Sequence, residues 1–492
     1  MSEDLSAEHE RLGLAVVEII KSYARTLDHR AVASEATPAE LEKLFDEPLP
    51  LQGASASEIL ERFERDIAPH AMAIPSPRYY GLFNPTPLPL AVWADALASA
   101  INQNLAAWRN SPPASIIEAR VLRWLCELVG YKNPDSFGTL TSGGSEANLI
   151  ALKCARDRAS ALTRDEGLRA GGLDLIVYAS EQCHYSLVKS VDILGLGRNS
   201  LRKISTGDNF QIRLDELRAS LERDVRDGRK PCCIAGAAGA TSTGVVDPLD
   251  ELADIAREYD CWFHVDAAYG GALAFSEKHR AMLKGIERAD SITIDPHKWM
   301  FVPFACGATL VREGAKVLRD AFDITPEYLS EEREHLSGRD AEYDFFRYGQ
   351  LGTRRFNALK IWMALKHLGV RGYASIIERQ IELTRYLAAR IDHLENFQLV
   401  GPVHTAVCCF RFIPQEARGH DGATLDRLQM ALQQRVERSG LAWFSTTILH
   451  GRRALRVNIN SFLTEQRHIE DLLELLQREG LNLMNDSPAQ SR

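Results

Sequence analysis

Apolar residues recur at helical spacing over residues 8–29, where Leu12, Leu14, Val17, Ile20 and Tyr23 are set among polar neighbours, so an amphipathic helix is predicted near the start of the chain. Pro48 and Pro50 punctuate a link to Ser55-Ala56-Ser57-Glu58, where a serine with an acid three places on opens a second helix over 59–67. Residues 75–89 hold five prolines around Arg78-Tyr79-Tyr80-Gly81, which predicts extended or irregular chain. Helices are expected over 89–100 and 115–129. From about 137 to 310 the pattern becomes an alternation of short β-rich runs (175–179, 234–237, 262–265, 291–294 and 308–311) with helical ones, including 146–161 and 214–227. That rhythm predicts crossover units and a mostly parallel central sheet covered by helices on both faces.

Residues 320–350 break the rhythm. The stretch 330–348 is densely charged and then abruptly aromatic, which suits a functional loop. A long helical region follows over 355–393, interrupted at 369–372. Strands at 408–413 and 455–459 with helices at 422–439 and 465–479 then predict a small C-terminal α+β domain. The expected division is an N-terminal helical arm at 1–90, a large α/β domain at 91–370 and a small domain at 371–492. The arm cannot bury its apolar faces alone and is expected to pack on the main body or on a second subunit.

Composition narrows the function classes. The chain has 492 residues, 45% of them hydrophobic and 25% charged, as in ordinary folded proteins of two or three domains. Its net charge is 58 − 67 = −9, which argues against a nucleic-acid partner. No apolar stretch reaches the roughly 18 residues of a membrane span, so no membrane association is expected. The opening MSEDLSAEHERLG is acidic and lacks the pattern of a signal peptide. Nine cysteines, none in a CxxC pair, read as buried free thiols in a reducing, cytoplasmic setting, and no metal site is expected.

Candidate chemistry gathers where strands end. Ser291–Ile294 runs into Asp295, Pro296, His297, Lys298 and Trp299; the run at 262–265 closes on Asp266 and then turns small, with Ala267, Ala268 and Gly270. In an open α/β sheet that edge is where ligands sit. A lysine beside an acid in such a crevice can form a Schiff base, although a free lysine, with a pKa of about 10.4, is a poor nucleophile at neutral pH. Thr141-Ser142-Gly143-Gly144-Ser145-Glu146-Ala147-Asn148 places glycines and hydroxyls at a helix start, which reads either as an anion site suited to phosphate or as a plain helix cap. Glu146 reads as a first-turn acid favoured by the helix end. Asp266 reads as an ordinary cap or as the partner of a protonated cofactor ring nitrogen, and Ala268 leaves room for a flat ring. His184 reads as a surface histidine or as one stacked on a planar cofactor. Thr241 occupies the equivalent place on the following strand.

Together, TSGGSEAN (141–148), HYSLVKS (184–190), GATSTGVVDPL (239–249), HVDAAYGG (264–271) and DPHKW (295–299) resemble the group II pyridoxal-phosphate-dependent amino-acid decarboxylases, in order and with matching spacing from about residue 10 to about 480. The resemblance implies a type I pyridoxal-phosphate-dependent, aspartate-aminotransferase-like fold and a homodimer with active sites at the subunit interface. It also implies pyridoxal 5'-phosphate as cofactor and decarboxylation of a small-molecule L-amino acid. On that likeness Lys298 carries the cofactor, Asp266 faces the pyridine nitrogen, His184 stacks on the ring, Gly144 and Ser145 cradle the phosphate, and His297 lies near it. The family also carries a loop tyrosine credited with protonating Cα, and relatives with phenylalanine there give an aldehyde. Counting back from Arg354-Arg355-Phe356 puts Phe345 near that place, and a shift of two residues restores Tyr343. Tyr79, Tyr80, Leu82, Phe83, Leu105 and Trp108 suggest an aromatic-lined pocket and an aromatic substrate. Asn84, Asn104 and Arg109 keep 2,4-diaminobutyrate or an acidic amino acid open, and a non-catalytic interaction protein on the same fold is the reading from another class.

Overall fold

The computed structural model describes residues 2–324 and 343–486, so residues 330–342 of the charged loop lie outside the described residues. The strands run in chain order from β1 (Tyr79–Tyr80) through β2 (Phe137–Thr141), β3 (Leu175–Ser180), β4 (Leu201–Ile204) and β5 (Lys230–Ala237). They continue with β6 (Trp262–Asp266), β7 (Ser291–Ile294) and β8 (Gly307–Val311), then β9 (Phe397–Leu399), β10 (Val407–Phe412), β11 (Trp443–Leu449) and β12 (Arg452–Asn458). Two compact units result, one formed by Met1–Thr86, Tyr386–Val400 and Cys409–Arg492, the other by Pro87–Arg385 and Gly401–Cys408.

In the second unit seven strands form one sheet in the order β2-β8-β7-β6-β5-β3-β4. The run from β7 to β4 is parallel, while β8 is antiparallel to both β7 and β2. The fold is therefore α/β, of the type I kind expected, with a mostly parallel central sheet. Two successive reversals at β8 return β2 to the direction of β7. The carboxyl ends of β2, β3, β5, β6 and β7 thus share one edge, and the motif residues follow those ends. Burial explains the apolar runs: every residue of β2, β3, β7 and β8 is buried, as strands covered on both faces must be. β4 sits at the sheet margin with Leu201 and Ile204 buried, Arg202 paired with buried Asp224 at 2.8 Å and Lys203 exposed.

The first unit holds the β1-β11-β12-β10-β9 sheet, the Ser2–Thr26 helix and the C-terminal Gln466–Asp486 helix. Ser55 and Glu58 form a reciprocal capping box that starts the Ala56–Arg62 helix, which continues as a π turn over Phe63–Ile67. The Tyr79 ring stacks on Trp443 at 5.4 Å, and a Cβ on Gly81 would meet that indole at 2.3 Å. The buried Tyr80 hydroxyl donates to the carbonyl of His468 at 2.8 Å. Both tyrosines are spent on this packing, which corrects the expectation that they line a substrate pocket. No helix among the described residues is long and apolar enough to cross a membrane.

Candidate active site

β7 ends at Ile294, and the chain turns at once: Lys298 N donates to the carbonyl of Asp295 at 2.9 Å, which folds the lysine back over the acid. Lys298 Nζ lies 3.0 Å from Asp295 Oδ2. Asp295 is 2% exposed and the lysine side chain 19%, so the acid is shut off from solvent while the lysine is partly open to it. Asp295 Oδ1 is buried without a hydrogen-bond partner among the described residues. His297 turns the other way. Its Nδ1 rests against the Cys306 carbonyl at 2.6 Å, its Nε2 is 3.8 Å from Asp295 Oδ2, and burial lowers its pKa. Trp299 closes the motif, stacked on Tyr269 at 4.6 Å with its indole N–H given to Gln380. Those contacts clamp the strand-end segments after β6 and β7 together.

Gly143 and Gly144 open the Gly144–Ala159 helix after β2. A Cβ on Gly144 would come within 2.7 Å of Asp295 Oδ2, and one on Gly143 within 3.2 Å of the His297 ring. A side chain at 144 would force the Asp295 carboxylate aside, so glycine suits that close approach. Ser142 gives both its N–H and its hydroxyl to Glu146 Oε2 at 2.7 Å, so Glu146 is the helix-start acid expected. Ser145 is exposed in the first turn, where the backbone N–H groups of the helix end remain available to an anion.

Asp266 ends β6. Its Oδ1 accepts from the N–H of Ala268 at 3.2 Å, and the Ala268 carbonyl accepts from Asp295 N at 3.1 Å. Ala268 therefore ties the two acids together through backbone alone. His184 caps the Tyr185–Ile193 helix, with Nδ1 facing Ser186 Oγ at 2.7 Å and Ser186 N at 3.3 Å. Burial pushes its imidazole below the ordinary histidine value, against the opposing pull of Asp266. Thr241 stands exposed on the turn after β5, a turn held against the β6 end by the Gly270 N–H to Ala238 carbonyl bond of 3.0 Å. A Cβ on Gly270 would meet that carbonyl oxygen at 2.4 Å.

Farther along, Trp108 N donates to Asp344 Oδ1 at 2.9 Å and Phe346 N to the carbonyl of Ala106 at 3.1 Å. These bonds bring Tyr343 to Trp108, two half-buried rings 6.0 Å apart. Phe345 is 0% exposed, packed on Phe137 and beneath the Arg354 guanidinium, which pairs with buried Glu118. Asn104, expected to receive a polar substrate chain, instead accepts from Arg354 N and Ala106 N at 2.9 and 3.1 Å. One element escaped the sequence reading. Asn148, buried on the same helix one turn after Gly144, donates to Asp266 Oδ2 at 2.9 Å and to Ser186 Oγ at 2.8 Å. Its four-residue offset from Gly144, on a face otherwise filled by Ala147, Ile150 and Ala151, was the signal available.

These residues fit pyridoxal 5'-phosphate. A glycine-lined helix start suits a phosphate, an acceptor-only carboxylate suits a protonated ring nitrogen, and a lysine stands within the same edge. A parallel sheet that gathers such groups at its carboxyl edge defines a type I pyridoxal-phosphate-dependent enzyme. Residues 38–413 match the family described as pyridoxal-dependent decarboxylase conserved domain. The chain is 32% identical over 489 residues to an aromatic-L-amino-acid decarboxylase of Bacillus atrophaeus, covering 96% of this chain and 97% of the relative. It is 34% identical over 411 residues to an L-2,4-diaminobutyrate decarboxylase of Rhizobium meliloti (strain 1021), covering 82% and 78%. Among solved structures it superposes on Oryza sativa TDC with PLP and tryptamine with a TM-score of 0.90 at 27% identity, over 97% of this chain and 99% of that one. The chain belongs to the pyridoxal-dependent decarboxylase family and is a pyridoxal-phosphate-dependent amino-acid decarboxylase.

Proposed function

We propose that the chain converts an aromatic L-amino acid to the corresponding amine and carbon dioxide, with Lys298 as the residue that bears the cofactor. The observation that carries the assignment of Lys298 is its 3.0 Å approach to buried Asp295 beside the glycine-opened helix start. Bound pyridoxal 5'-phosphate supplies an electron sink for the bond broken at Cα. Gly144 and Ser145 offer backbone N–H groups and a hydroxyl to the phosphate, with His297 and Thr241 beside it. Asp266, oriented by Asn148 and Ala268, holds a proton on the ring nitrogen. His184 would lie against the bound cofactor, and the small side chain of Ala268 would leave room for it. Lys298 Nζ would accept and return protons as the substrate amine enters and the product amine leaves.

Tyr343 is the proposed donor of the proton that replaces carbon dioxide on Cα. Phe345 has no exposed surface in its packing between Phe137 and Arg354, so of the two residues only the half-buried Tyr343 has room to act. That favours amine over aldehyde. The Trp108–Tyr343 pair favours a flat apolar side chain, in keeping with the near full-length likeness to the Bacillus atrophaeus enzyme. The likeness to the Rhizobium meliloti enzyme supports L-2,4-diaminobutyrate as the second reading. The proposed assembly is a homodimer, since a single chain leaves Leu49 and Leu51 85% and 96% exposed and Leu14 and Ile59 uncovered on the arm, 1–90. A cytoplasmic setting accords with nine free cysteines. Incubation with a panel of L-amino acids, reading carbon dioxide, amine, aldehyde and peroxide together, tests the proposal. Amine from tryptophan, tyrosine or phenylalanine without peroxide is expected; turnover of diaminobutyrate or acidic substrates alone would replace the aromatic reading.

A further inference from the structure

Asn148 stands at the centre of a buried polar chain whose donor and acceptor roles are fully determined. Its Nδ2 lies 2.9 Å from Asp266 Oδ2 and 2.8 Å from Ser186 Oγ. Its Oδ1 lies 2.7 Å from Thr293 Oγ1 and 3.0 Å from His264 Nε2. The reverse amide orientation would set a carbonyl oxygen against a carboxylate, so Nδ2 must face Asp266. Oδ1 then accepts from the Thr293 hydroxyl and from His264 Nε2–H. His264 is wholly buried, and burial pushes it down to about 4, so it is neutral with Nδ1 bare. That nitrogen accepts from Ser291 Oγ at 2.9 Å, and Ser291 in turn accepts the Trp262 indole N–H at 2.8 Å.

The other branch is equally constrained. Ser186 Oγ accepts from Asn148, so its own hydrogen goes to His184 Nδ1, where the Ser186 N–H also points. His184 Nδ1 is therefore an acceptor, and the neutral ring carries its proton on Nε2. Asn148, Thr293, Ser291, His264 and Ser186 are all buried, so water does not compete for these bonds.

We propose that Asn148 is a positioning residue for the reaction, its one carboxamide setting the Asp266 carboxylate toward the ring nitrogen and, through Ser186, holding His184 as the Nε2–H tautomer. This rests on the assignment of Asp266 to the ring nitrogen, and the test separates the two. Full-length protein is stripped of cofactor, and dissociation constants are measured for pyridoxal 5'-phosphate and for its analogue with carbon in place of the ring nitrogen. Wild type is expected to favour the natural cofactor, and Asp266→Ala to lose the preference. Asn148→Leu is expected to shrink the preference about tenfold, the value of a hydrogen bond to a charged group. No preference in wild type overturns the assignment of Asp266 itself; an intact preference in Asn148→Leu, with Asp266→Ala abolishing it, overturns only the role of Asn148. Should Asn148→Leu fail to fold, isosteric Asn148→Asp serves instead. Two carboxyl groups about 3 Å apart share a proton, so its preference is expected at acid pH and to fall as pH rises. A preference equal to wild type and flat with pH would overturn the proposal.

Discussion

Replacing Lys298 by methionine removes the ammonium but keeps the stem, and the structure fixes what this does before any cofactor is bound. Nζ is 3.0 Å from Asp295 Oδ2, Asp295 is 2% exposed, and its Oδ1 has no other partner among the described residues to share the charge. Breaking a buried pair from one side typically costs about 3–5 kcal/mol, because the remaining charge is left uncompensated. The lysine side chain is 19% exposed, so water reaches that side of the carboxylate and the lower end, about 3 kcal/mol, applies. At ~1 °C per kcal/mol for a chain of 492 residues, the cofactor-free variant should melt ~3 °C below cofactor-free wild type. The double variant Lys298→Met with Asp295→Asn removes the charge as well as its partner and should recover most of that loss, while still failing to hold cofactor. Differential scanning fluorimetry at one scan rate, with all proteins stripped of cofactor, reads both numbers. If Lys298→Met melts with wild type, or the double variant is no more stable than the single one, the pairing has been misread.

Gly144→Ala should lower cofactor affinity and cost about 1–3 kcal/mol, since its methyl would lie 2.7 Å from Asp295 Oδ2; equilibrium dialysis and melting curves check this. His264 should make the fold acid-sensitive. Its folded pKa of about 4 lies below the ordinary 6.5, so its stabilisation is complete above 6.5 and is lost as pH falls toward 4. The loss amounts to about 3 kcal/mol, and the difference in melting point between wild type and His264→Gln should narrow across that window. Asp247 works in the opposite sense, because burial raises it to about 6, so the total acid limb is shallower than His264 alone would give. Tyr343→Phe should reduce amine formation about a hundredfold or more and let aldehyde and peroxide appear when oxygen is present. Phe345→Tyr should leave the product unchanged and lower stability by burying a hydroxyl, which product analysis and melting curves distinguish.

The strands β3, β5, β6, β7 and β8 were legible because strands buried on both faces, parallel or not, leave short apolar runs that end on polar residues. The helix at 144–159 announced itself through the same glycines that open it. β4 and β11 were not legible. Leu201-Arg202-Lys203-Ile204 has no alternation, and Trp443–Leu449 carries three hydroxyls in a strand whose pairing with β12, nine residues on, supplies the reason for it. At the site, Lys298, Asp266, His184 and the glycine pair stood out because each lies at a strand end or helix start. Asn148, His264, Thr293 and Ser186 did not, because a buried hydrogen-bond chain is specified by partners 116 and 145 residues apart, and nothing local records it. Tyr79 and Tyr80 were misjudged for a related reason: aromatic content alone does not say whether a ring faces a ligand or, as with Trp443, another ring.

The central claim is that pyridoxal 5'-phosphate is borne by Lys298. Borohydride reduction of the loaded enzyme, followed by proteolysis and peptide mass mapping, tests it directly. One phosphopyridoxyl group per chain is predicted, on the Nζ of Lys298 in the peptide containing DPHKW. A stable adduct on any other lysine, or a fully loaded enzyme that yields none, would contradict the account.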